Sequence, residues 1–105
     1  MSKQFYSLKD FKIKFKSKKE VCENTIAFYF DIKDSGYSFN AGQYAHFTII
    51  DPRFSDVKGN SRPFSFANSP GEKNEIVIAG RINSSVFINN LSMLNPGSEI
   101  YISKP

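Results

Sequence analysis

The chain has 105 residues with 14 Lys plus Arg, 10 Asp plus Glu, one His, one Cys and no Trp, for a net charge of +4. That is the size of one domain, and 11 Phe and 5 Tyr make it too aromatic for a disordered segment. A lone Cys and a lone His exclude an intrachain disulfide and a zinc site; no apolar run is long enough to span a membrane, and the N-terminus is too charged for a signal peptide. The expectation is a single metal-free domain over residues 1–105, placed in the cytoplasm and not on a membrane.

Residues 11–18 alternate Phe11, Ile13, Phe15 and Ser17 with Lys12, Lys14, Lys16 and Lys18, the period of two of a strand with one wet face. The positive charge is concentrated there: residues 1–19 hold seven lysines against one acid, Asp10. The lysines read as a solvated face that discourages edge pairing. Docking of an acidic partner or of nucleic acid is the alternative.

Residues 24–32 form a second expected strand, with Ile26, Phe28, Phe30 and Ile32 on one face. Lys33 to Gly36 is a turn, with Gly36 able to take positive φ. Residues 43–50 form a third strand, entered through Ala41-Gly42. Residues 51–61, rich in Asp, Pro, Ser, Gly and Asn, form a loop. Residues 62–67 are short and extended, and Pro63 suits a strand start or an edge. Asn68 to Asn74 is a turn, and residues 75–82 alternate again with Ile76, Ile78, Gly80 and Ile82 in phase.

Then the period changes. Val86, Phe87, Asn90, Leu91 and Leu94 recur at helical spacing, and Ser84 or Ser85 is a natural N-cap. Asn95 to Ser98 is a turn, and residues 99–103 give a last strand. Six short strands and one short helix predict an all-β antiparallel barrel or sandwich.

No residue is assigned a catalytic role. His46 sits mid-strand without a sequence-local partner and reads as structural or surface, Cys22 reads as inert, and the carboxylates are scattered. Arg62-Pro63-Phe64-Ser65 stands out. On an extended chain Arg62 and Phe64 project from one face. There a guanidinium can clamp phosphate oxygens, an aromatic can stack on a flat ring, and Ser65 can donate a hydrogen bond. In isolation the same four residues also fit an edge strand with a core Phe. The helix start at Ser84-Ser85 offers backbone N–H groups to a pyrophosphate, and serines there are also ordinary caps.

Taken in order behind Phe39-Asn40-Ala41-Gly42-Gln43-Tyr44, these features resemble the flavin domain of the ferredoxin–NADP reductase superfamily. The stretch Arg62-Pro63-Phe64-Ser65-Phe66-Ala67-Asn68-Ser69-Pro70 is similar to its flavin motif, Arg-x-aromatic-Ser, particularly in oxygenase-reductase members. The Gly42-Gln43-Tyr44 element and the Pro96-Gly97 turn also match. The resemblance runs from about residue 10 to the end. It implies a six-stranded antiparallel Greek-key barrel with one short helix that binds FAD. It implies that Arg62 contacts the pyrophosphate, with Pro63 between it and Phe64, which stacks on the flavin. Ser65 would approach the reactive nitrogen edge, and Ala79, Gly80 and Arg81 would line the ribityl and phosphate region. Ser85, with Ser84 beside it, would take the phosphate-binding serine position.

The chain departs from that pattern in three places. Phe64 replaces the usual Tyr, which keeps the stacking and drops a hydroxyl. Ile82-Asn83-Ser84-Ser85 replaces Gly-x-x-Ser, so the serine assignment is open by one residue. Lys104-Pro105 stands where the family has Gly-Pro ahead of its nicotinamide-nucleotide domain. The implied function is therefore an FAD-binding module of an NAD(P)H-dependent flavin oxidoreductase, an electron-transfer flavoprotein. The nicotinamide cofactor would be held by a missing domain or partner subunit, and a redox partner would complete the electron path. The 105 residues alone are not expected to turn over NAD(P)H. A nucleic-acid-binding small barrel and a barrel that keeps the fold without a cofactor are the other readings, and nucleic acid is not among the expected partners.

Overall fold

The alternation of the first strand carries straight into the structure: β1 (Phe11–Cys22) buries Ile13 and Phe15 and exposes Lys12, Lys14, Lys16 and Lys18. The computed structural model describes residues 10–50, 60–70 and 74–105. Most of the expected 51–61 loop, part of the 68–74 turn and the lysines at positions 3 and 9 lie outside the described residues. After β1 come β2 (Thr25–Asp31), β3 (Tyr44–Ile49), β4 (Ser61–Ser65), β5 (Glu75–Arg81), α1 (Val86–Ser92) and β6 (Glu99–Ile102). β1 runs on past the expected residue 18 because backbone pairing with β2, not burial, holds its polar end. Cys22 pairs with Thr25 around a tight turn in which Asn24 adopts φ 59°, a left-handed conformation that asparagine tolerates.

The strands form one antiparallel sheet in the order β4-β3-β6-β1-β2-β5. Strands far apart in sequence lie side by side, the crossed-over order typical of Greek-key sheets. Three aromatic rings meet at the centre of the core: Phe30 lies edge-on to Phe15 (5.8 Å) and tilted on Phe47 (5.7 Å). Phe30 and Phe47 have no solvent exposure. A second aromatic corner forms before β3, where Tyr37 and Phe39 pack on Phe66. The Tyr37 hydroxyl donates to the Ser103 carbonyl at 2.7 Å, and its burial pushes the phenol above the ordinary tyrosine range.

Among the described residues, class, strand number, antiparallel pairing and the single helix agree with expectation; closure does not. β4 and β5 stand at opposite edges of the sheet with no ladder between them. β4 has only five residues, and Pro63 at its centre has no N–H to donate. The next few residues cross the opening instead. Phe66 N–H still donates to Gln43 C=O beside β3, at 3.1 Å, and Ala67 N–H donates to Val77 C=O on β5, at 2.7 Å. The Asn68 side chain accepts from Val77 N–H (2.9 Å) and donates to Glu75 C=O (2.8 Å). The chain thus changes partner within one residue.

Candidate functional site

Of the singled-out residues, Arg62 and Phe64 are brought together beside the gap between β4 and β5, on the Phe87 ring. Alternation along β4 sends Arg62, Phe64 and Phe66 to one face and leaves Pro63 and Ser65 exposed on the other. Arg62 and Phe64 share a neighbour: the guanidinium lies over the Phe87 ring at 5.9 Å, and the Phe64 ring lies 5.5 Å from Phe87 at 33°. Arg62 also donates to the Ser61 carbonyl at 2.8 Å. Phe64 meets Phe47 edge-on at 5.9 Å and stays half-buried, so part of its ring faces outward. The aromatic and the cation of the motif are therefore adjacent, held from beneath by one buried ring of α1.

α1 exists because Ser85 caps it. The Ser85 hydroxyl oxygen accepts from Ile88 N–H at 3.1 Å, and Ser85 itself is extended at φ −164°. Of the two serines left open by the sequence, Ser85 is the cap; Ser84 is exposed and its N–H donates to the Arg81 carbonyl at 3.2 Å. Ser85 lies two residues from Phe87, which brings the helix start beside Arg62 and Phe64.

On the other wall, Ala79 and Arg81 point outward and Gly80 faces α1. A Cβ on Gly80 would collide with Ile88 Cδ1 and stand 3.2 Å from Ile88 Cγ1, so the glycine permits the helix to close on β5. Phe87 against β4 and Ile88 against β5 place α1 beneath the gap, as its floor. Every residue expected at the site lies on β4, on β5 or at the start of α1.

Two residues that shape the site carry no expected role in the sequence reading. Phe87 reads as a helical core position, and Asn68 reads as a turn residue within the stretch that resembles the flavin motif, with no role of its own. An aromatic two residues after the cap was the available signal for the first.

Other candidates fall elsewhere. His46 is exposed on β3, edge-on to Tyr44 at 6.3 Å, and its backbone N–H donates to Ser103 Oγ. Cys22 is exposed at the far end of β1. Three lysines of this face have partners on other elements: Lys16 binds Glu75 at 2.8 Å, Lys12 lies 3.7 Å from Glu99, and Lys18 donates to the Ser92 carbonyl at the end of α1. The Glu75 carboxylate raises the Lys16 ammonium above its ordinary value through that hydrogen bond. Phe15 is buried and Phe11 half-buried on the opposite face of the strand, and on the lysine face Lys12 lies over the half-buried Tyr101 ring at 5.7 Å. Among the described residues no helix is long and apolar enough to cross a membrane.

No protein-family model matches the sequence, and no curated protein matches it. The fold does have counterparts. The chain is similar to phthalate dioxygenase reductase, a modular structure for electron transfer from pyridine nucleotides to [2Fe-2S], with a TM-score of 0.67 and 18% identity; the match covers 91% of this chain and 29% of that one. It is also similar to the flavohemoglobin of Malassezia yamatoensis, whose structure holds bound FAD and heme, with a TM-score of 0.64 and 19% identity over 93% of this chain and 25% of that one. At such identity the likeness is one of fold, the ferredoxin–NADP reductase-like fold that these two proteins share. The chain spans less than a third of the length of either protein.

Proposed function

We propose that the chain is the FAD-binding module of an NAD(P)H-dependent flavin oxidoreductase, with the flavin seated across the β4–β5 gap. The observation that carries this reading is the shared seat on Phe87: a guanidinium and a half-exposed aromatic ring, adjacent on one face, above a helix start. Arg62 would hold the pyrophosphate with paired hydrogen bonds. Phe64 would offer its outward ring face to the isoalloxazine, with Pro63 stiffening the backbone between the two. Ser65, which is exposed, would donate to the reactive nitrogen edge, while Ala79, Gly80 and Arg81 would line the ribityl and phosphate region. Ser85 spends its oxygen lone pair on Ile88 N–H and keeps an O–H to donate to a phosphate, with Ser84 exposed beside it.

Bound flavin would supply the redox chemistry; the protein's share is binding and orientation. Hydride transfer also needs the nicotinamide held against the flavin, and that positioning can be worth roughly 7–11 kcal/mol. The reading assigns it to a further domain or partner chain, and an electron-transfer partner would complete the path. A cytoplasmic setting suits the exposed free thiol of Cys22.

Equilibrium binding to FAD and to riboflavin tests the proposal. FAD is expected to bind more tightly, with the visible spectrum of protein-bound flavin, because only the dinucleotide presents a pyrophosphate to Arg62 and the helix start. Equal affinities for the two would remove the basis for the Arg62 and Ser85 assignments.

A further inference from the structure

The opening between the edge strands is spanned in an unusual way. Three hydrogen bonds cross it from two consecutive residues: one from the Ala67 backbone and two through the Asn68 side chain. A carboxamide carries the same donor and acceptor as a peptide group. Asn68 uses both as a neighbouring strand would, taking the N–H of Val77 and giving its own N–H to the carbonyl of Glu75. Only one orientation of the amide satisfies both partners, since a flipped group would set oxygen against the Glu75 carbonyl and N–H against the Val77 N–H. The bridge lies at one end of the gap. From there β4 leads back through Ser65 and Phe64 to Arg62, and β5 leads on through Ala79 and Gly80 to Arg81. A bridge at the end of two diverging strands sets how far apart they stand along their length.

We infer that Asn68 is a positioning residue for the flavin site, fixing the distance between the Arg62–Phe64 wall and the Ala79–Arg81 wall. The inference rests on the flavin reading above and adds to it a residue that would touch no part of the cofactor. Its effect falls unevenly on the ligand. The ring needs mainly the Phe64 side, whereas the ribityl-phosphate portion must be met from both walls at once. Loosening the gap therefore weakens FAD more than riboflavin.

The test is equilibrium dialysis of the full 105-residue chain and of Asn68→Ala with FAD and with riboflavin, alongside urea unfolding and visible circular dichroism of the bound flavin. Loss of two hydrogen bonds at the hinge is expected to weaken FAD about tenfold, with riboflavin changed by less than about twofold. The dichroism of bound FAD should change while unfolding stays cooperative. Asn68→Asp keeps an acceptor for Val77 but sets a carboxylate oxygen against the Glu75 carbonyl, so it should weaken FAD at least as much as Asn68→Ala. Should the variants not fold, amide exchange on the unmodified chain decides: FAD, and not riboflavin, should slow exchange at Val77.

A folded variant with the wild-type preference for FAD over riboflavin, or a Val77 amide indifferent to FAD, overturns the role of Asn68 and leaves the flavin site standing. An unmodified chain that binds no FAD overturns the flavin reading and the role of Asn68 together.

Discussion

The middle of the sheet and its open edge are built on opposite principles. Around β1, every neighbour is joined by a backbone ladder, from β6 on one side to β2 on the other, and the rings beneath are sealed from solvent. At the β4–β5 gap a side chain replaces the ladder, the Phe64 ring is only half covered, and a glycine marks where helix and strand touch. Backbone ladders and closed packing give stability that is hard to perturb locally. An edge held by one amide and one backbone bond leaves polar and aromatic groups facing outward in a defined arrangement, which is what a ligand needs. The contrast places the ladder-held, sealed packing in one half of the molecule and the proposed flavin site in the other.

The sharpest way to break that assignment is to empty the centre. Phe30→Ala removes a fully buried ring that contacts both Phe15 and Phe47. It is expected to cost about 3–5 kcal/mol of unfolding free energy, read from urea denaturation. A loss much below that would mean the centre collapses easily and is not the rigid half.

The counterpart at the edge is Arg62→Ala, expected to weaken FAD binding by about 2–4 kcal/mol, as truncating one partner of a desolvated charge pair typically does. Because Arg62 is only partly buried, unfolding free energy should change far less than binding. Arg62→Lys should recover part of the affinity, since an ammonium keeps the charge and lacks the two-pronged fork. A calorimetric titration with unchanged affinity for Arg62→Ala would reduce the arginine to an edge-strand residue stacked on Phe87.

The same contrast separates what the sequence makes legible from what it hides. The central strands announce themselves because one face is wet and one dry: Ile13 and Phe15 against the lysines, and Ile76 and Ile78 in phase on β5. The switch to helical spacing located α1, and its cap is one of the two serines offered. The motif on β4 was visible as letters, and the structure adds that Arg62 and Phe64 are neighbours because both rest on Phe87. The edge escapes because its decisive contacts have no period. Asn68 sits in a stretch of Asn, Ser, Pro and Gly that reads as a turn, and nothing in that stretch says its amide will stand in for a strand. Closure of the barrel was expected for the same reason: counting strands says nothing about whether the first edge meets the last. Tyr37 and Phe39 lie outside every expected strand and are buried all the same, because the segment entering β3 folds back over Phe66.

The smallest expected effect probes the packing within the open edge, where α1 closes on β5. Gly80→Ala places a methyl group against Ile88, whose Cδ1 is the far end of a flexible side chain and can move, so the cost should fall near the low end of overpacking, about 1 kcal/mol. Ile88→Val deletes the colliding carbon and alone should cost about 0.5–1.5 kcal/mol, since Ile88 is buried. If the squeeze is real, the two changes together should cost less than their sum, because each removes what the other offends. The measurement is a double-mutant cycle by urea denaturation, repeated with saturating FAD. Strict additivity would show that Gly80 is not what lets the helix approach, and that the floor of the gap is set elsewhere, by Phe87 against Arg62 and Phe64. Coupling that grows when FAD is bound would show instead that the helix, the glycine strand and the ligand tighten as one unit at the edge, while the ladders at the centre stay as they were.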